Sequence, residues 1–430
     1  MVLLRLRPNA AAELAADIEH GSAIISATNG KTTTARLIVG LAESGGHTVV
    51  ANTAGANLLR GVTSTLLAAD RQRPRPDLGI FEVDEAALPA TVAQLQPRVI
   101  TLMNLFRDQL DRYGELESLV GLWETMIESL DPSVTLVLNA DDPAVASLGT
   151  NRANTIFFGV DDDDVLRGDL AHAADSTRCR ICDHELEYNG TTIGHFGRWH
   201  CPNGDSTRPT PHIAATKVDL DGVVGQTVAF RLPEGAEVSS SLQLPGLHNA
   251  YNAAAALATA HALGLDPAAV APSLAATAPA FGRAEKVRVA DRDVLVLLAK
   301  NPAGVNENVR TVLLDDRPLH VLALLNDRTA DGRDVSWIWD VDYEQLLGRL
   351  DRLTVAGDRA GDLALRFHYA GLDTDRLTVI NDPATALDAA VANVPADSTL
   401  YVLPTYTALL DLRSVLTERG ITSAFWSNEQ

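Results

Sequence analysis

The feature that most constrains this chain is a short loop sequence close to its N-terminus. An apolar run, Ala23–Ser26, leads directly into Ala27–Thr34, which reads Ala-Thr-Asn-Gly-Lys-Thr-Thr-Thr. A buried strand that enters a turn with glycine and lysine and then a helix is typical of a phosphate-binding loop. In such a loop, backbone N–H groups and the positive end of the helix hold phosphate oxygens. The sequence therefore predicts an α/β fold with a nucleotide site at the end of this strand.

Individual side chains of the loop have predicted roles. Lys31 is expected to reach the terminal phosphates, and Thr32 is expected to offer its hydroxyl to Mg²⁺. The chain has only four lysines among its 35 lysines and arginines, so a lysine here indicates a need for a compact ammonium group. Ile25 stands where the long form of the motif has its first glycine, and an ordinary threonine-rich helix start is the alternative. The predicted nucleotide-binding residues of the loop are Thr28, Asn29, Gly30, Lys31, Thr32 and Thr33.

Composition excludes several classes of protein. The net charge of −21 argues against nucleic acid as the main partner, because contacts to its phosphates rely on clustered lysines and arginines. No window contains the roughly 20 uncharged apolar residues of a membrane helix, and the first residues do not read as a secretory signal. At 430 residues, the chain is expected to form two or three domains. Three cysteines fit a reducing compartment, so a cytoplasmic protein is expected.

Strand and helix patterns alternate from the N-terminus to about residue 160. Apolar runs such as 78–83 and 99–105 are each followed by a helical pattern, which predicts a mostly parallel sheet covered by helices. The stretch 175–211 is polar and rich in Gly, Cys and His, and we expect it to form a compact ribbon-like insertion. We expect a central ATP-binding domain to span 1–285. A second, Rossmann-like α/β domain is expected over 286–430, where the βαβ series resumes.

Polar side chains follow several of these predicted strands. Ligands of a parallel sheet bind at the carboxyl ends of its strands, so Glu82, which ends one apolar run, is predicted to hold Mg²⁺ together with Thr32. A solvated acidic loop is the alternative. Asn249 and Asn252 lie three residues apart at the start of a helix, so both amides face one side. Their spacing alone is compatible with two roles: the amides form hydrogen bonds to the edge of a nucleotide base, or they cap the helix.

The order of the motifs resembles that of the Mur ligase superfamily. In chain order, they are Thr28–Thr33, Glu82, Asn104 with Arg107–Asp111, Asn139–Asp142, Gly246–Asn252 and Gly282–Glu285. Members of this superfamily are ATP-dependent enzymes that activate a carboxylate as an acyl phosphate and then join it to an amine. The resemblance implies a set of ligand contacts: Lys31 and Arg283 at the ATP phosphates, Thr32 and Glu82 at Mg²⁺, and Asn249 and Asn252 at the adenine.

Departures from the common motif pattern of the superfamily restrict the resemblance to one of its families. Only 27 residues precede Thr28, too few for the nucleotide-sugar-binding domain of the ordinary peptidoglycan-building members. Gln109 stands where those members usually carry a histidine, so a second Mg²⁺ bound in the same way is not expected. The stretches Lys300–Gly304 and Asn326–Asp342, which contain Lys-Asn-Pro-Ala-Gly and Trp-Ile-Trp-Asp, are similar to those of the MurT family. MurT-type proteins are the synthetase subunits of lipid II isoglutaminyl synthases.

This resemblance implies a reaction and a partner. MurT-type subunits amidate the D-glutamate α-carboxylate of the lipid II stem peptide at the inner face of the cell membrane, with ammonia from a GatD-type glutaminase. In that family an aspartate of the synthetase is proposed to complete the Cys–His pair of the partner, which corresponds here to Asp340 or Asp342. Packing of Trp337 and Trp339 on a sheet, with Asp340 as a helix cap, is the alternative. Lys300 is expected to hold the acyl phosphate or γ-phosphate.

The cysteine insertion resembles a zinc ribbon with one ligand position changed. Cys179 and Cys182 form a Cys-x-x-Cys knuckle, and Cys201 begins a second one, as in sites where four thiolates hold Zn²⁺. No cysteine is then left as a nucleophile for glutamine hydrolysis, so nitrogen must come from another chain or from free ammonia. The fourth cysteine would stand at Gly204. The available substitutes are His195, His200 and Asp205, and a ribbon held by packing alone is the alternative.

Two other functions are compatible with some of these motifs. A ligase similar to folylpolyglutamate synthase would add an amino acid to a carboxylate, but the Lys-Asn-Pro-Ala-Gly and Trp-Ile-Trp-Asp segments argue against it. A nucleotide-binding scaffold that regulates a partner would bind ATP without turning it over.

Overall fold

The computed structural model describes residues 2–52, 55–107, 116–168, 170, 174–277 and 283–422, with the backbone alone for Val2, Leu3 and Arg283. The predicted motif positions Asp108–Asp111 and Gly282 lie outside the described residues, as does the side chain of Arg283. Within the described ranges the strands form a nine-stranded sheet, a six-stranded sheet and a two-stranded ribbon.

The nine-stranded sheet forms the framework of the N-terminal part. The strands of this sheet and of the ribbon are β1 Ser22–Ser26, β2 Val49–Ala51, β3 Leu78–Glu82, β4 Val99–Leu102, β5 Thr135–Asn139, β6 Thr155–Val160, β7 Glu187–Thr191, β8 Gly197–His200, β9 Ile213–Asp221, β10 Gly225–Arg231 and β11 Glu237–Leu242. The order in the large sheet is β11-β10-β9-β6-β5-β4-β1-β3-β2. Neighbours are parallel from β2 to β9, and β10 and β11 are antiparallel. The predicted mostly parallel sheet is confirmed.

Helices cover both faces of this sheet. They are α1 Val2–Leu6, α2 Ala10–Ala16, α3 Lys31–Ser44, α4 Leu59–Ala69, α5 Leu88–Leu95, α6 Leu116–Glu128, α7 Pro143–Ser147, α8 Leu247–Ala262 and α9 Pro267–Val270. The run 249–260 of α8 is entirely buried, and six of its residues are alanines in the stretch 253–260. Small side chains let α8 lie close to both the sheet and α3. The start of α8 is thereby held beside the phosphate loop.

The six-stranded sheet forms the second α/β unit. Its strands are β12 Arg283–Val289, β13 Arg292–Leu297, β14 Leu319–Leu324, β15 Leu350–Ala356, β16 Leu377–Val379 and β17 Thr399–Pro404, and its helices are α10 Pro302–Val312, α11 Ala360–Ala370, α12 Pro383–Ala392 and α13 Tyr406–Glu418. The order is β12-β13-β17-β14-β15-β16, with only the β12–β13 pair antiparallel. The predicted βαβ series is present, and β12 is an additional edge strand. The division at residue 285 stays a prediction.

The cysteine insertion packs against the carboxyl end of the large sheet. The side chains of Cys179, Trp199 and Cys201 form a small apolar cluster with Ala146. The Trp199 indole N–H donates to the Ala140 carbonyl at 3.0 Å, which ties the insertion to the end of β5.

In the part of the chain that the structure describes, none of the helices has the length and apolar composition needed to cross a bilayer.

Candidate nucleotide-binding and ligase site

The predicted phosphate loop connects β1 to α3. Gly30 precedes the first helical residue with φ of 92°, in the left-handed region that favours glycine. A Cβ atom built at this position would lie 2.3 Å from Oδ1 of Asn252 on α8. Both the backbone conformation and the close approach of α8 therefore require glycine here.

We expect Gly30→Ala to weaken MgATP binding. An added methyl group at Gly30 would overlap Asn252, and relief of this overlap displaces the loop from its binding conformation. Overpacking of this kind costs about 1–3 kcal/mol, which corresponds to roughly 5- to 150-fold in Kd. Calorimetric titration of the folded variant with MgATP measures the change. Gly46→Ala is a matched control, because Gly46 has the same φ of 92° but no atom within 4 Å of a built Cβ. Equal losses in the two variants would contradict the proposed role of the Gly30–Asn252 contact.

Lys31 is held by Glu85, a carboxylate to which the sequence motifs assign no role. Its Nζ lies 2.9 Å from Glu85 Oε2, and the two side chains are only 12% and 9% exposed. Burial opposes a charged Lys31, but the charge and hydrogen bond of Glu85, with the charge of Asp84, raise the pKa above its usual value. The ammonium is therefore charged and ready for phosphate. Glu85 belongs to the same acidic run as Glu82. The run itself was visible in the sequence, but only Glu82 was given a role at the site.

Glu82 fits the predicted role of a metal ligand. Its backbone pairs in register with Ile25 at the end of β1, which places it beside the phosphate loop. The residue is 3% exposed, and Oε2 has no hydrogen-bond partner among the described residues. An unpaired buried carboxylate oxygen is costly unless a cation compensates it. Thr32 lies half-buried in the first turn of α3. These two oxygen donors suit Mg²⁺, and their role stays a prediction.

Asn249 and Asn252 face the same side of α8, as their spacing predicts. The Asn252 amide donates to Asn249 Oδ1 at 2.8 Å, and the Asn249 amide donates to the Pro245 carbonyl at 2.7 Å. Gly246 precedes the helix and no side chain caps it, so the capping alternative is wrong. Both amides line a cavity shared by the two α/β units, whose lining includes Gly30, Thr33, Asn249, Asn252, Lys300 and Glu307.

The start of α10 forms the opposite wall of this cavity. The Lys300 ammonium donates to the Thr28 carbonyl at 3.0 Å. The amides of Asn29 and Asn301 bond to each other, with the Asn301 amide donating to Asn29 Oδ1 at 3.0 Å. Asn301 also caps α10 by accepting from the Gly304 N–H at 2.8 Å. The N-termini of α3 and α10 and the Lys300 ammonium therefore meet at one cleft, an arrangement that favours phosphate groups.

Asn104 attaches the end of β4 to the phosphate loop. Its Oδ1 accepts from the Asn29 N–H at 2.8 Å, and its amide donates to the Asn29 carbonyl at 2.9 Å. In the motif Asn139–Asp142, the Asp142 side chain accepts from the N–H groups of Ala144 and Val145 and thereby caps α7.

Its neighbours in that motif also have structural contacts. The Asn139 amide donates to the Met103 carbonyl at 3.0 Å. Asp141 is 1% exposed and bonds to Arg208 Nε and the Tyr251 hydroxyl, each at 2.6 Å. Burial raises the pKa of Asp141 despite these partners. Asn139 and Asp141 thus hold the strand ends and the insertion together.

Asp340 and Asp342 lie on a turn beside α10. Asp340 Oδ2 is 3.2 Å from Nη1 of Arg107, and the Asp342 N–H donates to Asn306 Oδ1 at 2.9 Å. The next helical turn, 343–346, begins after Asp342 and has no side-chain cap, so the predicted alternative of Asp340 as a helix cap is wrong. Trp337 packs on the core of the second unit, whereas Trp339 is 46% exposed.

The insertion brings its three cysteines together with Asp205. One ligand atom from each of Cys179, Cys182, Cys201 and Asp205 lies within 4.8 Å of all the others. A Cβ at Gly204, the expected fourth position, would meet no atom within 4 Å. Three thiols and a carboxylate suit tetrahedral Zn²⁺.

The other two candidate substitutes lie elsewhere. His195 is fully buried with Nε2 at 3.3 Å from Asp142 Oδ2, and Nε2 of His200 is 3.2 Å from Glu187. Neither histidine belongs to the cysteine cluster. Of the three candidate substitutes for the fourth ligand, Asp205 is the one that lies beside the sulfurs.

The cysteines differ in acidity. Burial opposes ionisation of Cys179, but hydrogen bonds from the Ser206 hydroxyl and backbone amides lower its pKa to about 7. The hydrogen bond to the Asp205 carboxylate raises the pKa of Cys182 to about 12. A carboxylate is thus close enough to affect a thiol directly.

The fold and the site define a protein of the Mur ligase class, in which a parallel sheet with a phosphate loop faces a second α/β unit across a shared cleft. Residues 25–203 match the family model for the Mur ligase middle domain, and residues 298–409 match the model for the MurT ligase C-terminal region. The chain belongs to the MurT family.

Curated relatives support this membership. The chain is 31% identical to the lipid II isoglutaminyl synthase (glutamine-hydrolyzing) subunit MurT of Streptococcus pneumoniae, over 93% of this chain and 87% of the relative. It is 30% identical to the protein of the same name from Staphylococcus aureus, over 81% and 77% of the two chains.

Solved structures share the fold. A pseudomurein peptide ligase type C from Methanothermus fervidus matches with a TM-score of 0.74 at 20% identity, over 95% of this chain and 80% of that chain. Folylpolyglutamate synthase of Mycobacterium tuberculosis, solved with ADP, matches with a TM-score of 0.65 at 19% identity, over 96% and 94%.

Proposed function

We propose that this chain is the synthetase subunit of a lipid II isoglutaminyl synthase. It uses ATP and Mg²⁺ to convert the α-carboxylate of D-glutamate in the lipid II stem peptide to the amide of D-isoglutamine. The observation that carries the proposal is the cavity shared by the phosphate loop, the paired asparagines of α8 and Lys300, in a chain of the MurT family.

The first step is transfer of the γ-phosphoryl group. A carboxylate oxygen of the substrate attacks the γ-phosphorus, the bond to the ADP oxygen breaks, and an acyl phosphate forms. Lys31 and the N-terminus of α3 lie on one side of the cleft, and Lys300 and the N-terminus of α10 lie on the other. These fixed positive groups stabilise the charge that spreads over the transferring phosphoryl group. Mg²⁺, held by Thr32 and Glu82, would neutralise phosphate charge.

The second step is attack by ammonia on the activated carbonyl carbon. The new C–N bond forms, the nitrogen loses one proton to the departing phosphate, and the C–O bond breaks as inorganic phosphate leaves. All three cysteines lie in the insertion, so glutamine hydrolysis is assigned to a partner chain, a GatD-type glutamine amidotransferase. Exclusion of water from the cleft protects the acyl phosphate from hydrolysis.

An exposed aromatic face beside Asp340 supports the partner assignment. Trp339, Leu365 and Tyr369 are 46%, 49% and 71% exposed, and the rings of Trp339 and Tyr369 lie 5.7 Å apart. Contiguous exposed apolar side chains mark interaction surfaces. The glutaminase would dock on this face, with Asp340 completing its Cys–His pair.

α10 connects this face to the cleft. Asn306 contacts the backbone of Asp342, and the next residue, Glu307, lines the cavity. Ammonia released at Asp340 is therefore only one helix away from the acyl phosphate. We place the reaction in the cytoplasm at the inner face of the cell membrane, where the lipid-linked substrate is reached.

The test is reconstitution of the chain with a GatD-type glutaminase, lipid II, MgATP and glutamine. Mass spectrometry of the stem peptide is expected to show conversion of one carboxylic acid to a carboxamide, dependent on ATP. A product carrying an added amino acid would instead support a folylpolyglutamate-synthase-like ligase. ATP binding without turnover in the complete mixture would support a nucleotide-binding scaffold.

We also propose that the insertion holds Zn²⁺ through Cys179, Cys182, Cys201 and Asp205. Asp205→Ala is expected to weaken zinc binding by at least the roughly 10- to 100-fold that follows loss of a hydrogen-bond partner of a metal ligand. Asp205→Cys, which restores a fourth thiolate, should bind zinc at least as well as the parent. Competition with a chromophoric chelator measures both affinities, and an unchanged affinity in Asp205→Ala would refute the carboxylate ligand.

A further inference from the structure

We infer that Arg107 is a positioning residue that joins the phosphate loop to Asp340, so that nucleotide binding controls glutamine hydrolysis in the partner. The inference rests on the proposed function, because it assumes that Asp340 serves the glutaminase. It adds a residue and a direction of control to that function.

The first link is the ion pair between the two α/β units. Arg107 follows β4 in the first unit, and its Nη1 lies 3.2 Å from Oδ2 of Asp340 in the second. The guanidinium is oriented by Asp175, which contacts its Nε and accepts from the Arg107 backbone N–H at 2.9 Å. Asp175 is only 6% exposed, so this support is well fixed. Arg107 therefore presents one edge to a buried carboxylate and another to Asp340.

A second set of contacts connects the segment that contains Arg107 to the phosphate loop. Within three residues of Arg107, Asn104 exchanges two hydrogen bonds with Asn29, and the Phe106 N–H donates to the Thr28 hydroxyl at 3.0 Å. Residues 104–107 and the phosphate loop are therefore one hydrogen-bonded unit. A shift of the loop on binding phosphate is passed through this short segment to the guanidinium.

Exposure of the pair makes it suited to regulation. The side chains of Arg107 and Asp340 are 36% and 41% exposed, so solvent screens their attraction in the free chain and the pair contributes little to folding. A partner docked on the aromatic face of Trp339, Leu365 and Tyr369 would exclude water from Asp340. The same ion pair then becomes stronger, because the local dielectric falls.

A lysine cannot replace Arg107 in this role. The planar guanidinium contacts Asp175 through Nε and Asp340 through Nη1 at the same time. A lysine has one charged nitrogen on a flexible stem and lacks this fixed fork. A role that needed only positive charge would tolerate lysine, whereas a positioning role would not.

The experiment uses the complex of the full chain with its glutaminase. Three rates are measured: glutamine hydrolysis with and without a non-hydrolysable ATP analogue and Mg²⁺, amidation supported by glutamine, and amidation supported by ammonium chloride. The variants are Arg107→Ala and Arg107→Lys. Arg198→Ala is the matched control, because Arg198 is 34% exposed and pairs with Asp163 at 2.5 Å.

We expect the analogue to stimulate glutamine hydrolysis in the parent complex by about fivefold or more, a typical allosteric coupling. Both Arg107 variants should lose this stimulation and lower the ratio of glutamine-supported to ammonium-supported amidation by a similar factor. Arg198→Ala should keep both. A general loss of folding would lower both amidation rates together and leave their ratio unchanged, which would count against the inference.

The inference is overturned if the parent shows no stimulation, if Arg107→Ala keeps it, or if Arg107→Lys restores it fully. Failure of the proposed function has a different signature. In that case the parent complex would not amidate lipid II even with ammonium chloride and MgATP.

Discussion

Lys31→Ala is expected to lower ATP-dependent amidation by about 100- to 1000-fold, the usual cost of removing one fixed electrostatic group from a transition state. Lys31 is buried beside Glu85, and its pKa is raised, so a full positive charge is lost from the phosphate side of the cleft. The loss should appear in kcat with ammonium chloride as well as with glutamine, because both nitrogen sources use the same acyl phosphate. Formation of the complex with the glutaminase should be unaffected.

Lys217→Ala is the control for this prediction. Lys217 is one of the same four lysines and is also ion-paired, with Asp164 at 2.6 Å, but it is 45% exposed and lies in β9 rather than at the phosphate loop. Its removal should leave amidation within about twofold of the parent. If Lys31→Ala keeps more than about a tenth of the activity, Lys31 does not act on the transferred phosphate.

Asp340→Asn is expected to lower glutamine-supported amidation by up to about 10⁴-fold, the loss that follows conversion of the acidic member of a catalytic triad to its amide. The amide has the shape of the carboxylate but cannot stabilise a protonated histidine in the partner. Amidation with ammonium chloride should stay within about twofold of the parent, because the acyl phosphate is made elsewhere. The ratio of the two rates is the measurement.

Asp334→Asn is the control, since Asp334 lies in the same segment but is exposed and bonds to its own chain at the Ser336 N–H, 2.8 Å away. Asp342→Asn decides between the two candidate aspartates. If the loss of the glutamine-supported rate occurs in Asp342→Asn and not in Asp340→Asn, the triad position belongs to Asp342.

Local patterns in the sequence predicted much of the first unit. The loop at Lys31 and the carboxylate at Glu82 were predicted because a strand, a tight turn and a helix in succession leave few conformations for a phosphate loop. The pairing of Asn249 with Asn252 followed from helical spacing alone. By contrast, Glu85 was missed because a run of carboxylates does not reveal which side chain turns inward toward Lys31.

The cysteine cluster shows a similar limit. The Cys-x-x-Cys spacing located the insertion, but three residues competed for the fourth ligand position. Only the folded structure shows that Asp205 lies beside the cysteine sulfurs, whereas His195 is buried against Asp142. The contact of Arg107 with Asp340 had no sequence signal, because neither residue lies in a motif that refers to the other.

By itself, the sequence determined the class of fold, the nucleotide loop and the order of the catalytic motifs, because these depend on neighbours along the chain and on strand and helix periodicity. The tertiary structure alone decided which polar groups meet across the cleft, such as Asn29 and Asn301, which are 272 positions apart. Contacts of that kind depend on how two sheets pack, and no local pattern encodes their distance.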